Sequence, residues 1–318
     1  MPIRGIGSVQ PTTDNVLSNA VIGYRNQAYQ LQNTVFPIIP TAKRKGSYWK
    51  FGKEAFADEA EYIGSTGESP RLTRSLTEDT FTLKPIGAAV ENSWDITDEA
   101  SAIITNELKG AEYVADKIAL KLERLIGTAL TTTGNWTSTA AVASGSEWDT
   151  ESGGDPMAVF ETAGLAIYDL IGVPIDELTA VIPFRVARTL RVHPQLRDYL
   201  KFMNGVAPSL VTEAMMAEIF GYKRVVVSKA QYNTAKKNLT PVLSGMMSDS
   251  VWVGYVTDRP ALMVPNAGYS LELENEQIIR TYTESKNRRD VIDGVKHIGV
   301  EIASADAGYV ITNALSAV

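Results

Sequence analysis

Residues 95–131, DITDEASAIITNELKGAEYVADKIALKLERLIGTALT, set the tightest constraint on what this chain can fold into. Apolar side chains recur at Ile96, Ala100, Ile104, Leu108, Ala111, Ala115, Ile118, Leu122, Leu125 and Ala129. Steps of three and four residues are the period of one helix face, so the spacing predicts a single helix over 95–131. Asp95 is placed to cap its first turn, and Asp98 and Glu99 put negative charge where the helix dipole is positive. At about 1.5 Å per residue such a helix runs roughly 54 Å. A compact chain of this length has a radius of gyration of roughly 20 Å, so the helix acts as a beam rather than sitting inside one globule. Gly110 and Gly127 each cost about 1 kcal/mol relative to alanine, and Gly110 is the expected place for a bend.

The residues that carry chemistry are scarce. There is no cysteine, which excludes disulfides, thiolate metal sites and cysteine nucleophiles. His193 and His297 are the two histidines, and neither has a neighbour at metal-ligand spacing, so both are expected to be structural. There is no Walker A loop, GxSxG elbow or HExxH helix. Gly5-Ile-Gly7 lacks the third glycine and the preceding strand of a dinucleotide loop. Asp149, Glu151 and Asp155 depart from the EF-hand spacing, and a plain loop is the better reading. Met215-Met216 and Met246-Met247 read as core or contact filler. No residue stands out as catalytic, cofactor-binding or metal-binding, and the expectation is a protein that is not an enzyme and carries no cofactor. At 44% hydrophobic and 21% charged, the chain can bury a core and build two subdomains. Its net charge of −7 gives no chain-wide attraction to nucleic acid. No apolar run approaches the roughly 18 residues needed to span a membrane, and MPIRGIGSVQPTTDN lacks the apolar core of a signal peptide. Synthesis and use in a cytoplasm are expected.

Taken in order, residues 1–13 read as a tail without periodicity, and Leu17, Val21, Tyr24, Ala28 and Leu31 form a helical stripe. Pro37 and Pro40 rule out a regular helix or a central strand, so VFPIIPTAKRKG reads as an extended strap. Its Lys43, Arg44 and Lys45 make a weak patch, better read as a solvated or interface-facing arm than as a nucleic-acid contact. SYWKFGK (47–53) and TEDTFTLK (77–84) alternate as strands, with Phe81 and Leu83 on one face. With the acidic segment between them they read as a long two-stranded arm. An isolated hairpin is marginally stable, so this one needs neighbouring copies of the chain to lie on.

Beyond the long helix, residues 131–155 are Ser/Thr/Gly-rich and read as surface loop. Helices are expected at 156–171, in 184–202 with a break at Pro194, and at 209–220, and strands at 178–183, 222–228 and 251–256. This alternation reads as a separate mixed subdomain. Strand-like segments at 277–284, 291–303 and 308–314 would give the beam helix a sheet to lie against. The hairpin's distal part carries Glu54, Asp58, Glu59, Glu61 and Glu68, and the C-terminal strands carry Lys286, Arg288 and Arg289. These eight residues form a candidate subunit interface, the acidic tip of one copy docking near the basic run of the next. The competing reading is that both runs are simply solvated.

The order of these parts resembles the major capsid proteins of tailed bacteriophages, the HK97-type fold. NVLSNAVIGYRNQAYQLQNTVFPIIPTAKRKGSYWKF looks like the arm and hairpin start of one branch of that family. SDSVWVGYV and RTYTESKNRRDVIDGVKHIGVEIASADAGYVITNAL resemble its C-terminal half. The resemblance covers essentially the whole chain and implies an α+β fold. It implies an N-terminal arm (1–45), an extended β-hairpin E-loop (46–92), a peripheral domain with the spine helix (93–171), a mixed α/β axial domain (172–265) and a return to the peripheral sheet (266–318). It implies self-assembly through pentamers and hexamers into an icosahedral head, made in a bacterial cytoplasm and ending in the virion. The head encloses double-stranded DNA without binding it specifically, which suits a net-acidic wall. Scaffold, portal and decoration proteins are possible partners, and no membrane is involved. Any scaffold is expected to be a separate protein, unless this sequence is the mature form, and no lysine–asparagine cross-linking pair is identifiable in the sequence. The alternatives are an encapsulin-type compartment shell, whose members usually begin with an internal helix rather than an arm, and a soluble enzyme without a recognisable motif.

Overall fold

In a computed structural model, the described residues are 12–13, 28–50, 62, 77–94, 103–149, 154–204, 211–236, 239–259, 266–274, 276 and 279–316. Helix and strand are mixed in two sheets that share the long helix, as an α+β reading requires.

Helix α1 (Ile103–Thr131) is the beam. Its first residues as expected from the sequence, 95–102, with the proposed cap at Asp95 and the acids Asp98 and Glu99, lie outside the described residues. The helix runs through Gly110 without interruption. Gly110 instead lets strand β14 (Arg289–Ile302) approach: a Cβ there would lie 2.7 Å from Ile292 Cδ1. Gly127 does the same for Met246, whose carbonyl oxygen would sit 2.8 Å from a Cβ. The buried face is Ala111, Val114, Ile118, Leu122, Ile126 and Leu130. The expected Leu125 and Ala129 are only half-buried. The buried positions Val114, Ile118, Leu122, Ile126 and Leu130 are four apart, so the covered stripe winds about 40° round the helix at each step and leaves the three-and-four pattern by the last two turns. The C-terminal carbonyls are taken up by Asn135 Nδ2, which donates to Ala129 O at 2.9 Å, and by Trp136 Nε1, which donates to Leu130 O at 3.0 Å.

Under the helix lies a six-stranded sheet in the order β1-β13-β14-β12-β2, with β5 paired on β14. Its strands are β1 (Thr12–Thr13), β2 (Ile38–Thr41), β5 (Lys84–Ser93), β12 (Gly268–Leu273) and β13 (Ile279–Glu284), around β14. Ile292, Ile298, Ile86, Ala88 and Val90 meet the α1 stripe in one core. The strap is strand β2, parallel to β12 at the sheet edge. That is where Pro37 and Pro40 are tolerated, because an edge strand can leave one side without N–H donors.

The hairpin base is β3 (Lys45–Lys50) and β4 (Thr77–Thr82), antiparallel, with Lys45 opposite Thr82 and Lys50 opposite Thr77. Phe81 and Leu83 are buried as their alternation requires. They form a small satellite core with Ile39, Tyr48, Tyr269 and Leu271. Most of the hairpin beyond Lys50, residues 51–61 and 63–76, lies outside the described residues.

The second sheet has the order β6-β15-β11-β7-β8. Its strands are β6 (Ser138–Ala141), β7 (Leu178–Pro183), β8 (Arg224–Ser228), β11 (Val251–Tyr255) and β15 (Gly308–Thr312). A short hairpin of β9 (Gln231–Asn233) and β10 (Leu243–Gly245) hangs from β8. Strand β7 is buried at every residue because both its faces are covered. Ala180 and Ile182 meet α2 (Pro156–Ile171), α3 (Phe184–Val192), α4 (Pro194–Asn204) and α5 (Glu213–Phe220). Val181, on the other face, joins the α1 core with Trp252 and Val310.

Two expectations are corrected. Residues 131–155 are not only surface loop: β6 pairs parallel with β15, and Trp136 and Trp148 are buried in the two cores. The mixed unit also does not run from 172 to 265 alone. It takes β6 and α2 from the segment assigned to 93–171, and β15 from the C-terminal segment 266–318, which therefore returns to both sheets. Periodicity identifies a strand but not its partner, and the partner decides the domain.

The end of the N-terminal arm is part of the subunit core: Tyr29, Leu31, Val35 and Phe36 are buried against α1. Deleting residues 1–33 should therefore lower the melting temperature well below that of a 1–27 deletion, whose subunit should melt close to the parent. Equal melting curves for the two truncations, followed by circular dichroism, would show that Tyr29 and Leu31 add nothing to stability.

Candidate functional site

Among the described residues, no group of three or more His, Asp or Glu side chains is placed to hold a metal ion. His193 is buried at the end of α3, and burial lowers its pKa while nearby Asp155 opposes the shift. Asp155 itself caps α2, accepting from Ala158 N at 3.0 Å, and its pKa is lowered first by that bond. His297 sits in β14 with its ring on the Glu276 carboxylate, and its backbone N–H donates to the same group at 2.6 Å. Asp149 accepts from Ser316 N at 3.0 Å and ties the C-terminal segment down. Glu151 lies outside the described residues. Met216, Met246 and Met247 are buried filler, as expected.

What the subunit does hold is a set of devices that seat its extended segments. The first is Glu123, fully buried on α1. Its carboxylate accepts from Leu31 N at 2.9 Å and Gln32 N at 3.0 Å, the free donors of the short π-turn Leu31–Val35. Burial pushes its pKa up to about 7, against the lowering effect of those backbone donors. Two turns earlier, Asp116 accepts from Tyr29 Oη at 2.9 Å. Arg224 completes the anchorage, donating to Thr34 O at 2.9 Å and Thr179 Oγ1 at 3.1 Å. The second device is the root of the hairpin. Tyr48 Oη donates to Ile302 O at 3.1 Å, and Lys50 pairs with Asp79 at 2.5 Å, which lowers the Asp79 pKa.

Of the candidate interface residues, Glu54, Asp58, Glu59, Glu61 and Glu68 lie outside the described residues. Lys286 is exposed. Arg288 takes a left-handed backbone (φ 50°) at the turn between β13 and β14. Arg289 departs from the expectation of a charge offered to a neighbour. Its guanidinium is held by Glu284 at 2.7 Å and Glu91 at 2.5 Å of its own chain. Sequence reasoning also missed Glu123. KLERLIG places it beside Lys121 and Arg124, and nothing in the spacing marks one charge of three as the buried one.

Two sheets sharing one long helix, with a hairpin base packed against β2 and β12, form the HK97-type capsid fold. A crystal structure of a phage-related protein from Bordetella bronchiseptica superposes with a TM-score of 0.75 at 20% identity, over 96% of this chain and 99% of that one. The capsid structure of the cyanophage P-SCSP1u matches 98% of this chain and 91% of that chain, with a TM-score of 0.59 at 7% identity. The mature capsid of bacteriophage PhiM1 matches 97% and 92%, with a TM-score of 0.52 at 12% identity. No protein-family model and no curated protein sequence matches.

Proposed function

We propose that this chain is a major capsid protein of the tailed-phage type, assembling into a closed icosahedral shell around double-stranded DNA. The observation that carries the reading is the match of nearly the whole chain, end to end, to capsid structures. Devices that seat an arm and a hairpin, in a chain whose polar groups serve capping and pairing, support it. In this reading the hairpin of 46–92 is the E-loop, α1 the spine of the peripheral domain, and the second sheet with α2–α5 the axial domain. Pentamers and hexamers build the shell, with scaffold, portal and decoration proteins as partners, and the mature protein resides in the virion. The protein has no enzymatic role, and DNA is enclosed rather than gripped.

The test is expression of the chain, alone and with its neighbouring genes, followed by negative-stain microscopy. Closed shells are expected; a monomer or small oligomer under every condition would favour a soluble enzyme. Shells filled with a dedicated cargo protein instead of DNA would favour the encapsulin-type reading.

The acidic hairpin tip remains proposed to dock near the turn that carries Lys286 and Arg288 on a neighbouring subunit. Exposed pairs contribute about 0–1 kcal/mol each, so their role is to select register. Arg289 is left out of the test because it is committed within its own chain. Reversing Glu59 and Glu61 to lysine should impair assembly, and adding Lys286→Glu should restore particles in part. A triple variant that assembles no better than the double variant would remove charge pairing as the seat of the arm.

A further inference from the structure

Strands β7 and β8 run parallel, with Thr179 opposite Arg224 and Pro183 opposite Ser228. The two ends of this pair carry surfaces of opposite kind. Where the strands begin, an open groove of about 710 Å³ lies between α2, α4 and the end of α5. Ile175 and Asp176 lead from it into β7, and Glu218–Gly221 lead toward β8. Its walls present Leu165, Tyr168 and Tyr199, which are 47%, 50% and 42% exposed. Glu161, Asp176 and Glu218 line the same groove, and all three are exposed.

Where the strands end, the surface is a basic knob. Phe184 and Arg185 follow β7, and both are exposed. The β9–β10 hairpin follows β8 and presents Leu239, Val242 and Leu243, at 64%, 57% and 65% exposure, with Lys236 beside them. Phe184, Arg185 and Leu243 border one shared depression, whose lining includes a single carboxylate, the half-buried Asp249. Leucines this exposed on a protruding hairpin mark a contact surface when they cluster. At about 3.3 Å per residue, the knob and the groove are roughly 20 Å apart across the strand pair.

We propose that the β9–β10 knob of one copy seats in the α2–α4–α5 groove of the next copy. The apolar parts match in kind and the charges are opposite, so each surface satisfies the other. Because the two lie at opposite ends of one sheet, the contact is head-to-tail, and head-to-tail contacts close into rings when the rotation permits. The inference rests on the shell-forming reading and names the surfaces by which neighbours within a ring would meet.

The test uses the full chain and sedimentation velocity, with circular dichroism as the control for folding. Glu161→Lys with Glu218→Lys, and separately Arg185→Glu with Lys236→Glu, should each cut the assembled fraction about tenfold or more. All four positions are exposed, so melting temperatures should stay within about 2 °C of the parent. The fourfold variant should recover most of the assembled fraction, since coupled charges are not additive. Leu243→Asp should reduce assembly with no partner change to rescue it. If the parent assembles and the double variants assemble as well as it does, or the fourfold variant is no better than either double, the inference is overturned while the shell reading stands. If the parent itself never assembles, the shell reading fails and takes the inference with it.

Discussion

Leu122→Asp should leave little or no soluble folded protein, with a loss of about 4–5 kcal/mol, while Lys121→Ala one residue away should change stability by no more than about 0.5 kcal/mol. Leu122 is 3% exposed, in the middle of the α1 stripe that packs on the first sheet. An aspartate there would lose the apolar burial of leucine, about 1.5–3 kcal/mol. It would also bring a carboxylate with no cation to meet it. Lys121 is exposed, about 100° round the helix from Leu122. Lys117 is exposed too, and its ammonium lies 4.8 Å from the Tyr113 ring, so Lys117→Ala should cost only slightly more than Lys121→Ala. Soluble yield and thermal melting check the series. Equal melting temperatures for Leu122→Asp and Lys121→Ala would show that the helix presents a different face to the sheet.

The folded subunit should be more stable at pH 5 than at pH 8, and Glu123 should be the cause. Its folded pKa is raised to about 7 from an ordinary value of 4.5, chiefly by burial. A raised carboxyl pKa means that the folded state binds the proton more strongly than the unfolded state. The stabilisation is therefore complete below about pH 4.5 and is lost as pH rises through about 7. Across that window the difference is roughly 3 kcal/mol. Glu123→Gln removes the titration, so its stability should be nearly flat between pH 5 and pH 8. The amide keeps one acceptor for Leu31 N and turns a donor toward Gln32 N, so at pH 5 it should be the less stable protein. Glu123→Ala leaves both backbone donors buried and unsatisfied and should cost about 2–4 kcal/mol at pH 5, and less at pH 8, where the parent has lost its own pH-dependent stability. Melting temperatures of the three proteins at the two pH values decide the matter. A parent and a Glu123→Gln variant with the same pH slope would show that another group carries the dependence.

Stability is thus linked to the protonation of one buried group at the place where residues 31–34, helix α1 and the second sheet meet. Leu31 and Gln32 reach Glu123 on α1, while Thr34 reaches Arg224 on β8.

Local order was legible from residues alone wherever a strong period met a strong stop signal. Helix α2 was expected at 156–171 and is found at Pro156–Ile171, because proline opens it and Gly172, in the left-handed conformation that favours glycine, closes it. Strand β7 was expected at 178–183 and is found there, a short apolar run that only a fully covered strand accommodates. The beam helix, the hairpin alternation at Phe81 and Leu83, and the two structural histidines belong to the same class of inference.

Tertiary structure alone decided the partners. Strand β15 could have extended the first sheet but pairs with β11 and β6 in the second, since its alternation says only that it is a strand. Ile126 and Leu130 displaced Leu125 and Ala129 on the buried face, because which residue of a drifting stripe is covered depends on the surface opposite. Arg289 looked like a free charge until Glu284 and Glu91 were seen across the ladder. Glu123 was one of three charges in a row, and its burial depends on residues about ninety positions earlier in the chain. Periodicity is set within a few residues by backbone geometry and is written in the sequence. Pairing, burial of charge and the meeting of distant segments are set by which surfaces can cover one another, and only the folded chain carries that information.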